Sequence, residues 1–242
     1  VLTYHLVLIM DSANQARKTS GREPLEQWMK EYDEKTTGYF EFDRQDVLPY
    51  LPLTADRICE IGCGTGKTLA GIKRKYQASL AIGFDIHEQS IATARTRLDR
   101  AEVIDIEAID LPEYVHDVDV FLCLDVLEHL RDPWSVIKAL HARLRRGGCI
   151  VASIPNVRHY SVSFGLLFAG QWDLKDAGLL DRTHLRFFVR KTAIELMSSS
   201  GLTVDAVGVN YRRRRDRVMT MITAGVFQDV FALQYVIRAT RV

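Results

Sequence analysis

The sequence predicts an α/β domain built on an open parallel sheet with helices on both faces, and three observations support this. From Arg57 onward, apolar runs of strand length alternate with segments of helical period joined by short links. One such run, Arg57-Ile58-Cys59-Glu60-Ile61, passes directly into three glycines spaced two apart, Gly62, Gly64 and Gly66, and then into a helix-forming segment. A second run, Leu80 to Phe84, closes on Asp85, at the strand end where open sheets of this class hold ligands.

Taken in order, residues 1–22 form an N-terminal segment to which no role is assigned. Its opening, Val1 to Met10, is apolar but well short of the roughly 20 residues that span a bilayer, and it lacks a basic leader. The domain is expected over 23–242. Leu25, Trp28, Met29 and Tyr32 recur at the spacing of an amphipathic helix, and Tyr39, Phe40 and Phe42 follow. Next come a strand at 57–61, a helix from about 66 to 76, a strand at 80–84, a helix at 88–99 and a short strand at 102–105. A strand at 118–124, a helix at 133–145 and a strand at 149–154 complete the alternation. Ile91, Ala94 and Leu98 share one helix face, and Val136, Ile137, Leu140 and Leu144 another. Gly147-Gly148 is expected to stop the helix before it.

Residues 155–189 far exceed the usual link of about 2–6 residues, so they are expected to form a cap after the fifth strand. A helix carrying Ala193, Leu196 and Met197 on one face follows and ends near Gly201. Residues 202–209 and 231–240 read as two closing strands.

The glycine turn suits a nucleotide-like ligand, because positive φ and a missing Cβ let the backbone approach it and free N–H groups open the helix. A phosphate-binding P-loop requires four residues between its glycines, but only three separate Gly62 from Gly66-Lys67-Thr68. The dinucleotide fingerprint Gly-x-Gly-x-x-Gly is also missed, and Glu60 would meet a pyrophosphate as a like charge. A cationic ligand fits Glu60 better, and Asp85, nineteen residues after Gly66, can take both hydroxyls of a ribose. S-adenosylmethionine, an adenosine with a positively charged tail, satisfies these features together.

The chain here resembles the class I S-adenosylmethionine-dependent methyltransferases, from about Tyr32 to the C-terminus. The likeness is carried by Glu60-Ile61-Gly62-Cys63-Gly64-Thr65-Gly66, Gly83-Phe84-Asp85-Ile86 and Leu124-Asp125-Val126-Leu127-Glu128-His129-Leu130-Arg131-Asp132-Pro133. Ile154-Pro155-Asn156-Val157-Arg158-His159-Tyr160 and Leu180 to Phe188 are similar to methyltransferases of bacterial polysaccharide and glycan assembly. The resemblance implies a Rossmann-like, doubly wound, seven-stranded sheet whose last strand is antiparallel. It implies cofactor contacts at Glu60, Gly62, Cys63, Gly64, Gly66, Asp85 and Ile86, with Asp105 and Ile106 at the adenine and Leu124 beneath the cofactor. It also places an aromatic, Tyr39, near the sulfonium, which an aromatic face attracts within about 6 Å. For Asp105 a loop carboxylate facing water is the competing reading, and His129 reads as a histidine that shapes its loop. The family has Ser or Thr as the N-cap where Val189 stands, which forgoes about 1 kcal/mol.

Methyl transfer to a hydroxyl needs the nucleophile about 3–3.5 Å from the methyl carbon and a group to take the proton. In the cap, which the resemblance puts above the transferred methyl, His184 is the candidate base, with Asp181 three residues before it to orient the ring. Asn156, His159 and Arg182 are candidate substrate contacts. The cap's mixture of aromatic, acidic and basic residues suits a sugar or glycan acceptor. A small-molecule O- or N-methyltransferase is the neighbouring alternative. A nicotinamide oxidoreductase and a non-catalytic binding module are the alternatives from other classes.

A hydrophobic fraction of 47% over 242 residues is enough to fill one core, and a net charge of +1 provides no global field for nucleic acid. Arg212 to Arg217 reads as a solvated loop, and no nucleic-acid partner or transmembrane segment is expected. Cys59, Cys63, Cys123 and Cys149 form no metal-spaced set and read as core residues in a reducing cytoplasm.

Overall fold

A computed structural model describes residues 43–108 and 110–242. The helix expected around residues 25–32, Tyr39 and the domain start at residue 23 lie outside the described residues. The strands are β1 (Arg57–Ile61), β2 (Leu80–Asp85), β3 (Arg100–Val103), β4 (Val118–Leu124), β5 (Leu144–Pro155), β6 (Thr203–Asn210) and β7 (Gln234–Thr240). The helices are α1 (Lys67–Tyr76), α2 (Glu88–Ala94), α3 (Pro133–Arg143), α4 (Tyr160–Ala169), α5 (Arg190–Ser198), α6 (Arg214–Ile222) and α7 (Gln228–Phe231).

All seven strands share one sheet in the order β3-β2-β1-β4-β5-β7-β6. β1 to β5 pair in parallel, and β7 inserts antiparallel between β5 and β6. This is the doubly wound sheet with an antiparallel last strand that was expected. Strand order reverses between β1 and β4, so the crevice of the fold opens at their carboxyl ends.

The central strands are apolar on both faces because both faces are covered. β4 is buried along its whole length. Phe121 and Cys123 join Val136, Ile137 and Leu140 of α3 and Leu196 and Met197 of α5 on one side. Val120, Leu122 and Leu124 join Leu69 and Ile72 of α1 and Ile91 of α2 on the other. Each fully buried side chain of this size contributes about 1.5–3 kcal/mol. The four cysteines are free and buried, as small core residues.

Several boundaries depart from the sequence reading. α2 stops at Ala94, not at residue 99; beyond it Asp99 accepts from the backbone N–H of Ala81 at 2.7 Å and pairs with Lys73. α3 ends at Arg143, and Gly147-Gly148 lie within β5 rather than stopping a helix. β5 shifts register against β4 between Val118 and Val120, and a Cβ on Gly148 would lie 2.7 Å from the Val118 carbonyl. The space requirement is therefore that of a strand irregularity. β3 occupies 100–103 and not 102–105, which leaves Asp105 beyond the strand. Val189 is the N-cap of α5, and Thr192 supplies the missing hydroxyl, its Oγ1 accepting from the Val189 N–H at 3.1 Å. The final strand begins at Gln234, with α7 just before it. The Arg212–Arg217 run opens α6 instead of forming a loop, with Asp216 buried and accepting from the Arg213 N–H.

Candidate functional site

The turn after β1 is built as its glycines require. Gly62, Gly64 and Gly66 have φ of 71°, 51° and 73°, a region that disfavours any Cβ. The N–H groups of Gly62 and Cys63 both donate to the Phe84 carbonyl, at 2.8 and 3.0 Å, which ties the turn to the end of β2. A Cβ on Gly62 would lie 3.1 Å from the Val126 side chain, so the turn and the segment after β4 are in direct apposition.

Two buried carboxylates flank this turn. Glu60 is 3% exposed, and its Oε2 has no hydrogen-bond partner. Burial, and then the nearby Asp85 carboxylate, push its pKa from 4.5 up to about 8. Asp85 closes β2; its Oδ2 accepts from Gly64 N–H at 2.7 Å and its Oδ1 from His87 N–H at 2.9 Å. Burial raises its pKa, and these two backbone bonds oppose the rise. Cys63 and Leu124 are buried beside the turn, and Ile86, Asp105 and Ile106 are half-buried. Asp105 accepts from the Glu107 N–H at 3.0 Å, a local turn bond.

The sequence reading missed a polar network at the carboxyl end of β4. Asp125 follows that strand with φ of 57°, an uncommon conformation for a residue with a side chain. Its carboxylate accepts from Ser153 Oγ at 2.8 Å, from Gln234 Nε2 at 2.7 Å and from Arg44, which also pairs with Asp46 at 2.8 Å. These groups come from four separate segments. The one local signal was a carboxylate directly after the apolar run Val120 to Leu124.

The chain then makes a 3-10 turn, Leu127–His129, that buries both Glu128 and His129. The Glu128 carbonyl accepts from Leu185 and Arg186 N–H at 2.8 and 2.9 Å, which docks the returning end of the 155–189 segment onto this turn. His129 and His184 consequently meet edge to face, with ring centroids 4.7 Å apart. One ring nitrogen of each and one Glu128 carboxylate oxygen lie within 4.8 Å of one another.

The other residues expected at the acceptor lie within or beside the 155–189 segment. Asn156 is fully buried, with Nδ2 donating to the carbonyls of Asp229 and Ala232 at 2.7 Å each and Oδ1 accepting from Arg158 N–H. Its amide joins chain segments. His159, also fully buried, caps α4 by accepting from Ser161 N–H at 3.2 Å, and burial lowers its pKa. Arg182 is exposed and pairs with Asp176 at 2.8 Å. Asp181 is buried, and its Oδ1 accepts from the N–H and hydroxyl of Thr183. The ring of His184 is held through Nδ1–H donation to the Leu179 carbonyl at 3.3 Å.

Residues 59–150 match the family described as a methyltransferase domain. Ubiquinone biosynthesis O-methyltransferase from Pseudomonas aeruginosa (strain LESB58) is 32% identical over 168 residues, covering 66% of this chain and 70% of that protein. The enzyme of the same name from Neisseria meningitidis serogroup A is 29% identical over 192 residues, covering 76% and 80%. Among solved structures, magnesium protoporphyrin IX methyltransferase from Synechocystis PCC 6803 with bound SAH has a TM-score of 0.58 at 14% identity, covering 91% of this chain and 95% of that one. An S-adenosylmethionine-dependent methyltransferase from Mesorhizobium loti has a TM-score of 0.57 at 19% identity, covering 81% and 96%. At these identities the solved structures speak for the fold alone.

Proposed function

Since the chain belongs to the class I S-adenosylmethionine-dependent methyltransferases, we propose that it transfers the methyl group to a hydroxyl oxygen. The observation that carries this reading is the meeting of Glu128, His129 and His184 beside the glycine turn. A hydroxyl acceptor must lose its proton, and this cluster is equipped to promote that loss. When bound, the cofactor's sulfonium supplies the methyl: the acceptor oxygen forms the new O–C bond while the C–S pair returns to sulfur, leaving a neutral thioether.

The residues around the turn fit that cofactor. In the glycine cradle a Cβ at Gly62 would press on Val126 at 3.1 Å, and the orphaned Glu60 oxygen is a buried acceptor suited to a cationic ligand. In this reading Asp85 takes the ribose hydroxyls, Gly62, Cys63, Gly64 and Gly66 line the turn, and Ile86, Asp105 and Ile106 border the adenine. Leu124 supports the cofactor from below. The role expected of Tyr39 falls outside the described residues.

The resemblance in 154–160 and 180–188 supports a sugar or glycan acceptor, whereas the relatives above are O-methyltransferases of ubiquinone biosynthesis. The outward side chains of the cap favour an acceptor with an apolar ring: Trp172, Leu174, Leu185 and Phe187 are exposed, and Trp172 meets Phe187 edge to face at 5.1 Å. Arg182 and Asp176, by contrast, are already engaged with each other. The test is transfer of labelled methyl from S-adenosylmethionine to panels of ring hydroxyls on apolar scaffolds, sugar nucleotides and amines. Methyl ethers of the first panel are expected; labelling of amines alone would overturn the hydroxyl reading. Among the described residues no helix is long and apolar enough to cross a membrane.

A further inference from the structure

Glu128 is 1% exposed, yet neither of its carboxylate oxygens meets a hydrogen-bond donor. An unsatisfied buried group costs about 1–3 kcal/mol, and more when charged. Two imidazoles, His129 and His184, stand beside it, and the Asp125 and Asp181 carboxylates also act on it. One of its oxygens, one ring nitrogen of His129 and one of His184 lie within 4.8 Å of one another.

Both imidazoles are oriented from behind. His129 Nδ1–H donates to the Thr183 carbonyl at 3.1 Å and His184 Nδ1–H to the Leu179 carbonyl at 3.3 Å. In each ring that bond places the lone pair on Nε2. Metal-ligating histidines use the same kind of outer bond to fix their tautomer and orientation. The two halves are further joined by backbone bonds from Leu185 and Arg186 to the Glu128 carbonyl, so the cluster does not depend on its own side chains for assembly.

The geometry points to a binding site for a divalent first-row transition ion, held by Glu128, His129 and His184. Two imidazoles and one carboxylate leave coordination positions open, as catalytic rather than purely structural sites do, and zinc, iron(II), cobalt and manganese accept such a donor set. The purpose of the ion rests on the hydroxyl reading given above. A hydroxyl oxygen at an open position loses its proton to solvent far more readily than free in water. His184 is then a ligand, and no protein base is required.

The experiment uses the full chain after exhaustive chelation. Cobalt(II) is added and followed by visible absorption, and zinc is added and followed by calorimetry. One ion per chain is expected, with affinity falling by about 100-fold or more in Glu128→Ala and in His184→Ala. Binding of S-adenosylhomocysteine, followed in parallel, reports whether each variant is folded; His184 is only half-buried, so its variant keeps the test decisive if Glu128→Ala does not fold. Absence of binding by the parent chain, or equal affinity in folded His184→Ala, overturns the site. Turnover on a hydroxyl acceptor that is undiminished by chelation and unaffected by added zinc overturns the role in transfer. Failure of the hydroxyl reading itself would be seen separately, as methylation of amines alone, and would leave the ion-binding measurement unaffected.

Discussion

Replacing Glu60 with Gln should stabilise the protein at alkaline pH, although the substitution removes a charge from a predicted ligand site. Glu60 is 3% exposed, one of its oxygens has no partner, and its pKa is raised from 4.5 to about 8, first by burial and then by Asp85. An acid whose folded pKa lies above its unfolded value binds more protons when folded. Its contribution is therefore most favourable below about 4.5, is lost as pH rises towards about 8, and is constant above that. The gap from 4.5 to about 8, at about 1.4 kcal/mol per pH unit, corresponds to a penalty on the order of 5 kcal/mol for the ionised form. That is comparable with the whole stability of a small domain, about 5–15 kcal/mol. Gln keeps the shape and stays neutral. Urea unfolding of both proteins from pH 5 to 9 should show a difference near zero at the acid end that grows to several kcal/mol in favour of Glu60→Gln. Parallel stability curves across that range would refute the reasoning, because they would require Glu60 to ionise equally in the folded and unfolded chain.

In the cofactor complex the same substitution should act in the opposite direction, weakening S-adenosylmethionine more than its neutral thioether product; equal losses measured by calorimetry would assign Glu60 a structural role. Asp85→Ala should weaken cofactor binding by about 1.5–3 kcal/mol through lost charge-assisted bonds, and an unchanged Kd would remove it from the site. His184→Ala should lower single-turnover rates by about 10²–10⁴ while leaving cofactor affinity within a factor of a few; a retained rate would exclude it from the reaction. Gly83→Ala would place a Cβ 2.6 Å from Cys63 Sγ and 2.7 Å from Leu98 Cδ1. Such overpacking should cost about 1–3 kcal/mol in thermal or chemical unfolding, and an unaltered midpoint would show that the turn yields freely.

The sheet, the glycine turn and Asp85 could be read from the chain because each leaves a local trace. Burial on two faces makes Val120 to Leu124 continuously apolar, positive φ selects Gly62, Gly64 and Gly66, and the strand end selects the carboxylate that follows Phe84. Helix ends were less legible, since Asp99 and the register shift between Val118 and Val120 act through neighbours on other strands. Polar partnerships were the least legible. Arg44, Asp125, Ser153 and Gln234 share one network from four distant segments, and Glu128 and His129 meet His184 only because the backbone of 185–186 docks on the turn after β4. Asn156 and His159 looked like ligand contacts by residue type, yet the fold buries both. Periodicity records which face of an element is dry, and so it determines the sheet; which buried polar groups meet depends on the docking of remote segments, which only the tertiary structure decides.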